Sequence, residues 1–306
     1  MRDLAELLPL GVASRIDLTL ATSTTSVARW TSSGRLLHVH PGVVMLPSAM
    51  EDPRARARAA TLWARGLLSH SSALRLWEVV PPAAGPLHVT VSADRFPRRT
   101  TGVVVHRTTV PLSISSIDGI PLTSLARSLV DAWDLGHRTR KGRPLGGRGL
   151  ARQAVIESVR SRRISLAELR SESAARGVHA GSAALGTLLD LVAGGCQSEL
   201  EIWGVTHVLP GPPALPSPVQ QHPVRLGNGR WVRLDAAYPD ALVAVELDGA
   251  AFHGSREARE RDLRRDSALA ALGWVVLRFS YARLMADPEG CRREIEAVVR
   301  GRLATR

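Results

Sequence analysis

Residues 231–253 read WVRLDAAYPDALVAVELDGAAFH and predict two strands joined by a tight turn. In the first half, apolar residues such as Val232 and Leu234 alternate with polar ones, as in a half-buried strand. Residues 242–247 form a near-continuous apolar run, which is typical of a fully buried strand. The Pro-Asp pair at 239–240 supplies the turn between the two strands.

Three carboxylates interrupt this apolar setting: Asp235 on the first strand, and Glu246 and Asp248 on the second. A buried carboxylate is costly unless it is paired or binds a cation. Glu246 and Asp248 are two residues apart, so a strand projects them from one face, where they repel each other unless a positive charge lies between them. Because Mg²⁺ and Mn²⁺ take oxygen ligands, the pattern predicts a site for one of these ions. A structural ion pair with arginines is the alternative.

The length of 306 residues predicts two or three domains, and 44% hydrophobic with 22% charged residues is ordinary for a globular protein. The chain has no apolar run approaching the roughly 18 residues of a transmembrane helix, and its start, MRDLAELLPLG, carries charges where a signal peptide is apolar. We therefore expect a cytoplasmic protein with no membrane partner. With two cysteines and no CxxC pattern, a zinc finger or a disulfide framework is not expected.

A net charge of +12 predicts a polyanionic partner, and DNA is the expected one. Lysine occurs once, at Lys141, so the excess is almost wholly arginine, which genomic base composition also explains. The distribution is more informative. Residues 196–306 hold 15 basic and 14 acidic side chains, net +1, whereas residues 1–195 hold 25 and 14, net +11. The polyanion-binding surface is therefore expected upstream of the acidic strand pair.

Residues 1–50 predict a winged helix-turn-helix. SRID begins one short helix at residue 14, TTSVARWTSSG gives a second that ends at Gly34, and GRLLHVHPGVVML reads as two strands about the Pro-Gly turn at 41–42. In such a domain the second helix enters the major groove and the hairpin lies on the DNA backbone. A purely structural helical cap is the alternative. The predicted DNA contacts are Thr24, Thr25, Ser26, Arg29, Arg35 and His38.

Residues 51–195 predict an α/β middle domain, with strands at PLHVTVS and GVVVHRTTV and a helix at LTSLARSLVDAWDL. His70 and His106 are candidate functional groups, although a histidine in an apolar helix or strand is more often structural. GHRTRKGRPLGGRG, residues 136–149, is predicted to be a flexible basic loop, either a solvated linker or an arm that contacts phosphate. Helices are expected over residues 150–193.

Residues 196–306 predict a third domain with the order helix, strand, strand, helix, strand, helix, which gives a mixed sheet flanked by helices. Parts of it resemble a known family: SELE at 198–201, LDAAYPDALVAVELDGAAFH at 234–253, RERDLRRDSALAALGWVVLRFS at 259–280, and the final helix. They are similar to an endonuclease-like domain related to the very-short-patch-repair mismatch endonucleases, of the PD-(D/E)XK nuclease fold. The resemblance implies a restriction-endonuclease-like α/β/α domain.

The same resemblance implies roles for particular residues. Asp235 and Glu246 match the metal-binding acidic positions, and Glu201 matches the acidic residue of the first helix. The family motif has a lysine two residues after the second acid, where this chain has Asp248. Because the related sequences also show an E-x-D-G pattern, Asp248 is expected to be a third metal ligand, with His253 as general base or leaving-group acid.

Three arginines of this domain are predicted to hold phosphate: Arg261, Arg265 and Arg278. The repeated Arg-Asp pairs at 261–262 and 265–266 equally predict salt bridges on the surface of a helix.

Segments of the first two predicted domains resemble the AbiEi-type antitoxin winged-helix region and the domain that follows it: GVASRIDLTL, SGRLLHVHPGV, LSHSSALRLW, LHVTVS, VVVHRTT and DGIPLTSLARSLVD. This likeness implies an α+β multidomain protein that binds DNA.

The expected function is a metal-dependent DNA endonuclease joined to a winged helix, in DNA repair or phage defence. Two alternatives stay open. One is a non-catalytic, antitoxin-like transcriptional regulator whose nuclease fold has degenerated. The other is a component of a toxin-antitoxin or defence system that acts mainly through a protein partner.

Overall fold

The computed structural model describes residues 4–196, 198–248 and 256–305; for Asp248 and residues 256–259 it describes the backbone alone. The chain divides into two compact units, Met1–Gly186 and Thr187–Arg306. The sequence places the corresponding boundary slightly later, after Gly195. Among the described residues, every helix is too short or too polar to cross a membrane.

A small helical segment with a three-stranded sheet opens the first unit. Its elements are α1 (Leu4–Leu7), β1 (Val12–Ser14), α2 (Arg15–Ala21), α3 (Thr24–Ser32), β2 (Leu37–His40) and β3 (Val43–Met45). β3 lies between β1 and β2 and is antiparallel to both. Ser23 caps α3 by accepting the Ser26 backbone N–H at 3.1 Å, and Gly42, with φ of 77°, permits the turn between β2 and β3. Both helices and the hairpin occur where the sequence predicts them.

A five-stranded sheet follows. Its elements are α4 (Pro53–Ala64), β4 (Leu67–Leu68), α5 (His70–Leu76), β5 (Leu87–Ser92), β6 (Val103–Thr108), β7 (Ile114–Ile117), β8 (Ile120–Thr123) and α6 (Leu125–His137). The strand order is β6-β5-β4-β8-β7, with β5 and β6 parallel. The sequence predicts β5, β6 and α6 but misses three strands. β4 has only two residues, and the serines of β7 and Pro121 of β8 weaken the strand pattern, although the Asp-Gly turn at 118–119 is a hairpin signal.

The predicted flexible loop at 136–149 is wrong in part, because it contains a two-stranded hairpin. The elements from here are β9 (Thr139–Arg140), β10 (Arg143–Pro144), α7 (Arg148–Arg160), α8 (Leu166–Arg176) and α9 (Ser182–Ala193). Lys141 and Gly142 both have positive φ, 50° and 75°, which is the geometry that joins two antiparallel strands by a two-residue turn. The helices expected over 150–193 are confirmed.

A four-stranded mixed sheet forms the second unit. Its elements are α10 (Glu199–His207), β11 (Val219–Arg225), β12 (Trp231–Tyr238), β13 (Val243–Asp248), α11 (Arg256–Ala271), β14 (Val275–Ser280), α12 (Tyr281–Ala286) and α13 (Pro288–Ala304). The strands are in chain order; β12 is antiparallel to β11 and β13, and β14 is parallel to β13. The predicted mixed sheet is confirmed, but the predicted order lacks β11. Its sequence, VQQHPVR, has few apolar residues and Pro223, which an edge strand tolerates.

Helices cover both faces of this sheet. On one face Leu200 of α10 and Ile295 of α13 join a buried cluster with Val245 of β13. On the other face Leu269 of α11 packs in a second cluster with Ala244 of the same strand. Because neighbouring residues of β13 enter opposite clusters, the strand is buried on both sides, as its apolar run predicts.

α10 approaches β13 most closely at Gly204. A Cβ atom at this position would collide with the Leu247 side chain. The glycine therefore lets α10 lie directly on the strand that carries Glu246.

Gly204→Ala should lower the free energy of unfolding by about 1–3 kcal/mol, because the added methyl group overpacks the α10–β13 contact. Gly301→Ala is the matched control. Gly301 lies within α13 and faces open space, so alanine there should raise stability by about 0.5–1 kcal/mol through helix propensity. Urea denaturation measures both. A Gly204→Ala protein as stable as the wild type would contradict the close approach.

Candidate functional site

Asp235 and Glu246 lie on the two central strands of the second unit. The antiparallel register ends with Ala236 paired to Val245, and Asp235 and Glu246 are the next residues of β12 and β13. The Asp235 charge acts on Glu246, so the two carboxylates lie near each other. The structure thus brings together two of the three predicted metal ligands.

Arg265 of α11 binds Glu246 through both carboxylate oxygens. Its Nη1 donates to Oε2 at 3.0 Å and its Nη2 to Oε1 at 2.7 Å, while Nη2 also donates to the Arg233 carbonyl at 2.7 Å. Glu246 is only 12% exposed. Burial raises the pKa of Glu246, the Arg265 charge opposes that rise, and the Asp235 charge adds to it. Glu246 therefore takes part in an arginine ion pair in this structure.

Arg278 flanks Glu246 on the other side, because the parallel register of β13 and β14 pairs these two residues. Its Nη2 donates to Oδ1 of Asp266, on α11, at 2.6 Å. The repeated Arg-Asp pattern of α11 is therefore divided between two partners on the sheet: Arg265 reaches Glu246, and Asp266 reaches Arg278. Arg261 of the same helix is exposed. The phosphate-holding role of the three arginines stays a prediction.

Asp235 is anchored by the backbone of the neighbouring strand. The Leu247 N–H donates to its Oδ2 at 3.0 Å. This bond fixes the Asp235 carboxylate against β13, beside the residue that follows Glu246.

Glu201 lies in the first turn of α10 and binds two polar side chains. The Ser198 hydroxyl donates to its Oε1 at 2.9 Å, and Gln221 Nε2 donates to its Oε2 at 3.1 Å. Gln221 falls at the position of β11 opposite Asp235. Within the described part of the chain, the carboxylates of Glu201, Asp235 and Glu246 do not gather three oxygens within 4.8 Å of one another. Glu201 is thus connected to the strand pair through Gln221 and does not share a three-carboxylate cluster with it.

Sequence reasoning missed Gln221. It has a φ of 48°, which is rare for a non-glycine residue and exceptional within a strand. The available signal was the polar Gln-Gln pair at 220–221, but it lies in the edge strand that the sequence did not predict.

Two further predicted residues lie at the edge of what the structure describes. The Asp248 backbone pairs with Ser280 at the end of β13, and its side chain is outside the described atoms. His253 lies outside the described residues altogether. The metal-ligand role of Asp248 and the acid-base role of His253 therefore stay predictions.

The predicted DNA contacts lie in α3, in β2 and in the turn between them. All but one of them are exposed: Thr24, Thr25, Arg29, Arg35 and His38. Ser26 is half-buried, and its backbone N–H and hydroxyl bind the Ser23 hydroxyl at 3.1 and 3.0 Å. Ser26 therefore serves the N-terminal cap of α3 in this structure.

Part of the second unit matches a known protein family. Residues 228–299 match the model of the REase_MTES_1575 family. The second unit contains a restriction endonuclease-like domain. The matched stretch includes Asp235, Glu246 and Asp248 but not Glu201. It covers less than a quarter of the chain, so the match concerns this domain and leaves the upstream AbiEi resemblance a prediction.

Similar proteins occur in Mycobacterium tuberculosis. The uncharacterized proteins MT2308 of strain CDC 1551 / Oshkosh and Rv2248 of strain ATCC 25618 / H37Rv are each 26% identical over 180 residues, covering 59% of this chain. The match spans 62% of the length of either relative. The crystal structure of the RV2827C protein, also from Mycobacterium tuberculosis, matches at 15% identity and a TM-score of 0.40, over 58% of this chain and 71% of that one.

Arg265→Met should lower the free energy of unfolding by about 1–3 kcal/mol at pH 7, because it leaves the Glu246 carboxylate half-buried without its guanidinium. Arg264→Met is the matched control on the same helix. It removes an exposed pair with Glu260, which contributes at most about 1 kcal/mol. Urea denaturation compares the two. Equal, small losses would show that the Arg265–Glu246 contact does not stabilise the fold.

Proposed function

We propose that the second unit is a metal-dependent DNA endonuclease domain and that the start of the first unit binds DNA as a winged helix. One observation carries the nuclease proposal. Asp235 and Glu246 lie close together on the central strands, inside the stretch that matches a restriction endonuclease-like family.

The donor chemistry of this pair suits Mg²⁺ or Mn²⁺. Both ions prefer carboxylate oxygens, and Asp235 and Glu246 offer them from adjacent strands, with Asp248 as the third ligand. A bound ion would orient the attacking water and offset the charge that develops on the phosphate. The Leu247 N–H keeps the Asp235 carboxylate in place for this task.

Arg265 has two alternative partners in this mechanism. In the present structure it holds both oxygens of Glu246. A divalent ion and a guanidinium would compete for the same carboxylate, so Arg265 would have to leave Glu246 when an ion is bound. Its planar pair of N–H groups would then suit a phosphate oxygen of the DNA.

Hydrolysis adds water to phosphorus and breaks the bond to the leaving sugar oxygen, which takes up a proton. Asp248 stands where the family motif has a lysine, so another group must handle the protons. His253 is the candidate for this role. Glu201, held by Ser198 and Gln221, is the candidate to bind a water beside the strand pair.

The order helix, strand, helix, helix, strand, strand in residues 4–45 supports the winged-helix part of the proposal. Arg29 and Arg35 are exposed on the second of the paired helices and just after it, as groove and phosphate contacts require. The net charge of +11 over residues 1–195 favours the same partner.

The second candidate is a DNA-binding regulator with an inactive nuclease fold. The Arg265–Glu246 pair favours it, because an arginine can neutralise a metal ligand permanently. The absence of the motif lysine at position 248 points the same way.

Glu246→Ala should abolish Mg²⁺- or Mn²⁺-dependent nicking of supercoiled plasmid, because the variant lacks a carboxylate that holds the ion. Glu260→Ala, which removes an exposed carboxylate of α11, is the control and should cut like the wild type. Calorimetry with Mg²⁺ separates the two candidates. A nuclease binds the ion, and Arg265→Met binds it more tightly but cuts less. A wild type that neither binds Mg²⁺ nor cuts DNA would support the regulator.

Arg29→Ala combined with Arg35→Ala should weaken binding to a short DNA duplex. The slope of log K against log salt concentration should also become less steep by about two, since two phosphate contacts are lost. Fluorescence anisotropy in EDTA measures this without cleavage. Arg293→Ala with Arg300→Ala in α13 is the control with the same change in charge. Equal losses in both double variants would remove the winged helix from the proposal.

A further inference from the structure

Three histidines of the first unit meet from separate elements: His70 at the start of α5, His88 on β5 and His106 on β6. His88 Nδ1 lies 2.8 Å from His106 Nε2, and the ring centroids of His70 and His106 are 3.8 Å apart. One nitrogen of each ring lies within 4.8 Å of the other two. Among the residues that the structure describes, no other set of three His, Cys, Asp or Glu side chains meets this distance.

The backbone around α5 holds this trio in place. The Ser69 N–H donates to the His88 carbonyl at 2.9 Å, and the His88 N–H donates to the Ser72 hydroxyl at 2.9 Å. These bonds fasten the start of α5 to β5, and the parallel pairing of β5 with β6 adds His106. His70 has a left-handed φ of 52°. Such strain in a non-glycine residue persists where its surroundings enforce it, and it is concentrated at functional sites.

The three rings are neutral at pH 7. Burial lowers the pKa of His88 to about 4 and that of His106 to about 3, with smaller contributions from neighbouring charges. Burial also lowers the pKa of His70, which is 5% exposed, well below its ordinary value. Neutral imidazole is the form that binds metal ions, although the N–H shared between His88 and His106 has to move to the other nitrogen of its ring. The Ser69 hydroxyl lies 2.9 Å from His70 Nδ1. Nδ1 is therefore engaged with Ser69, and Nε2 is the other ring nitrogen of His70.

A buried ion network lies beside the trio and is balanced in charge. Arg127 donates to Asp131 at 2.8 Å and to Thr108 of β6 at 3.2 Å. Arg176 donates to Asp131 and to Asp134, at 3.2 Å in each case. Arg138 also pairs with Asp134 and Glu172 with Arg127, so the formal charges of the network cancel. After burial, its arginines still lower the pKa values of His70 and His106, so their charge opposes a cation at the histidines.

We propose that His70, His88 and His106 form a binding site for Zn²⁺ or a similar transition-metal ion. Three imidazoles without a carboxylate suit zinc and not magnesium, which needs oxygen ligands. Zn–N bonds of about 2.0–2.1 Å in a tetrahedral site place ligand nitrogens roughly 3.3 Å apart. The His88 and His106 nitrogens therefore need to separate by only about 0.5 Å. A tetrahedral ion would keep a fourth position for water or another small ligand.

The alternative is a metal-free cluster in which a ring N–H of His88 or His106 donates to the other ring. It accounts for the 2.8 Å contact and for burial, since a neutral hydrogen-bonded histidine is tolerated in a core. A metal site and a metal-free cluster differ in one measurable property: only the metal site binds an added transition-metal ion through the histidine nitrogens.

The test uses the full chain carrying Glu246→Ala, so that the acidic strand pair of the second unit contributes no binding. This metal-free parent is titrated with Co²⁺, followed by visible absorption and calorimetry, and the Co²⁺ is then displaced with Zn²⁺. We expect one ion per chain. His106→Gln should bind at least about 100-fold more weakly, because a direct ligand contributes more than outer-shell partners, whose loss costs about 10–100-fold. His207→Gln, which changes an exposed histidine of α10, is the matched control and should bind like the parent.

Thermal unfolding checks that the variants are folded. Zn²⁺ should raise the Tm of the parent and of His207→Gln but not that of His106→Gln. A folded parent that takes up no Co²⁺, or equal affinities in the parent and His106→Gln, would overturn the proposal. Neither result bears on cleavage by the second unit, so the two proposals fail independently.

Discussion

The pairing of Glu246 with Arg265 is the interaction on which the second unit depends. A carboxylate that is 12% exposed and close to Asp235 is costly unless a positive group lies beside it. Arg265 meets this need from α11, and four residues later Leu269 packs into the core on the same face of the sheet. Electrostatic and hydrophobic contacts one turn apart therefore fix the same helix over the same strand.

Burial raises the pKa of Glu246, and two arginines act on it in the opposite direction. Arg265 does so most strongly, and Arg278, which pairs with Asp266, does so as well, whereas the Asp235 charge adds to the rise. A divalent ion could bind the Asp235 and Glu246 carboxylates together, which is the physical reason for favouring a nuclease over an inactive site.

The local features of this region could be predicted from sequence. Alternation predicted β12, the apolar run predicted β13, and the Pro-Asp turn joined them, so Asp235 and Glu246 were expected on neighbouring strands. Which of their positions lie side by side was not predicted. The choice of partner could not be predicted in this way. Arg265 lies 19 residues beyond Glu246, and which arginine reaches the strand depends on how α11 is rotated on the sheet. β11 and Gln221 were missed because an edge strand does not need an apolar pattern.

The histidine trio shows a different limit of sequence reasoning. Its members lie on a helix and two strands with no motif spacing, and singly each is best interpreted as a structural histidine, as sequence analysis concluded for His70 and His106. Only the fold brings the three together.

The two candidate sites also differ in why a cation would be present. The carboxylates of the second unit are charged, so some cation must accompany them, and a bound cation there partly serves the fold. The histidines of the first unit are already neutral when buried, and they satisfy part of their hydrogen bonding among themselves. Packing therefore explains their burial without a metal ion. It does not explain why the buried His70, rather than glycine, occupies a left-handed backbone position. A role of the His70 ring as the third nitrogen ligand of an ion would explain why a histidine is retained at this strained position.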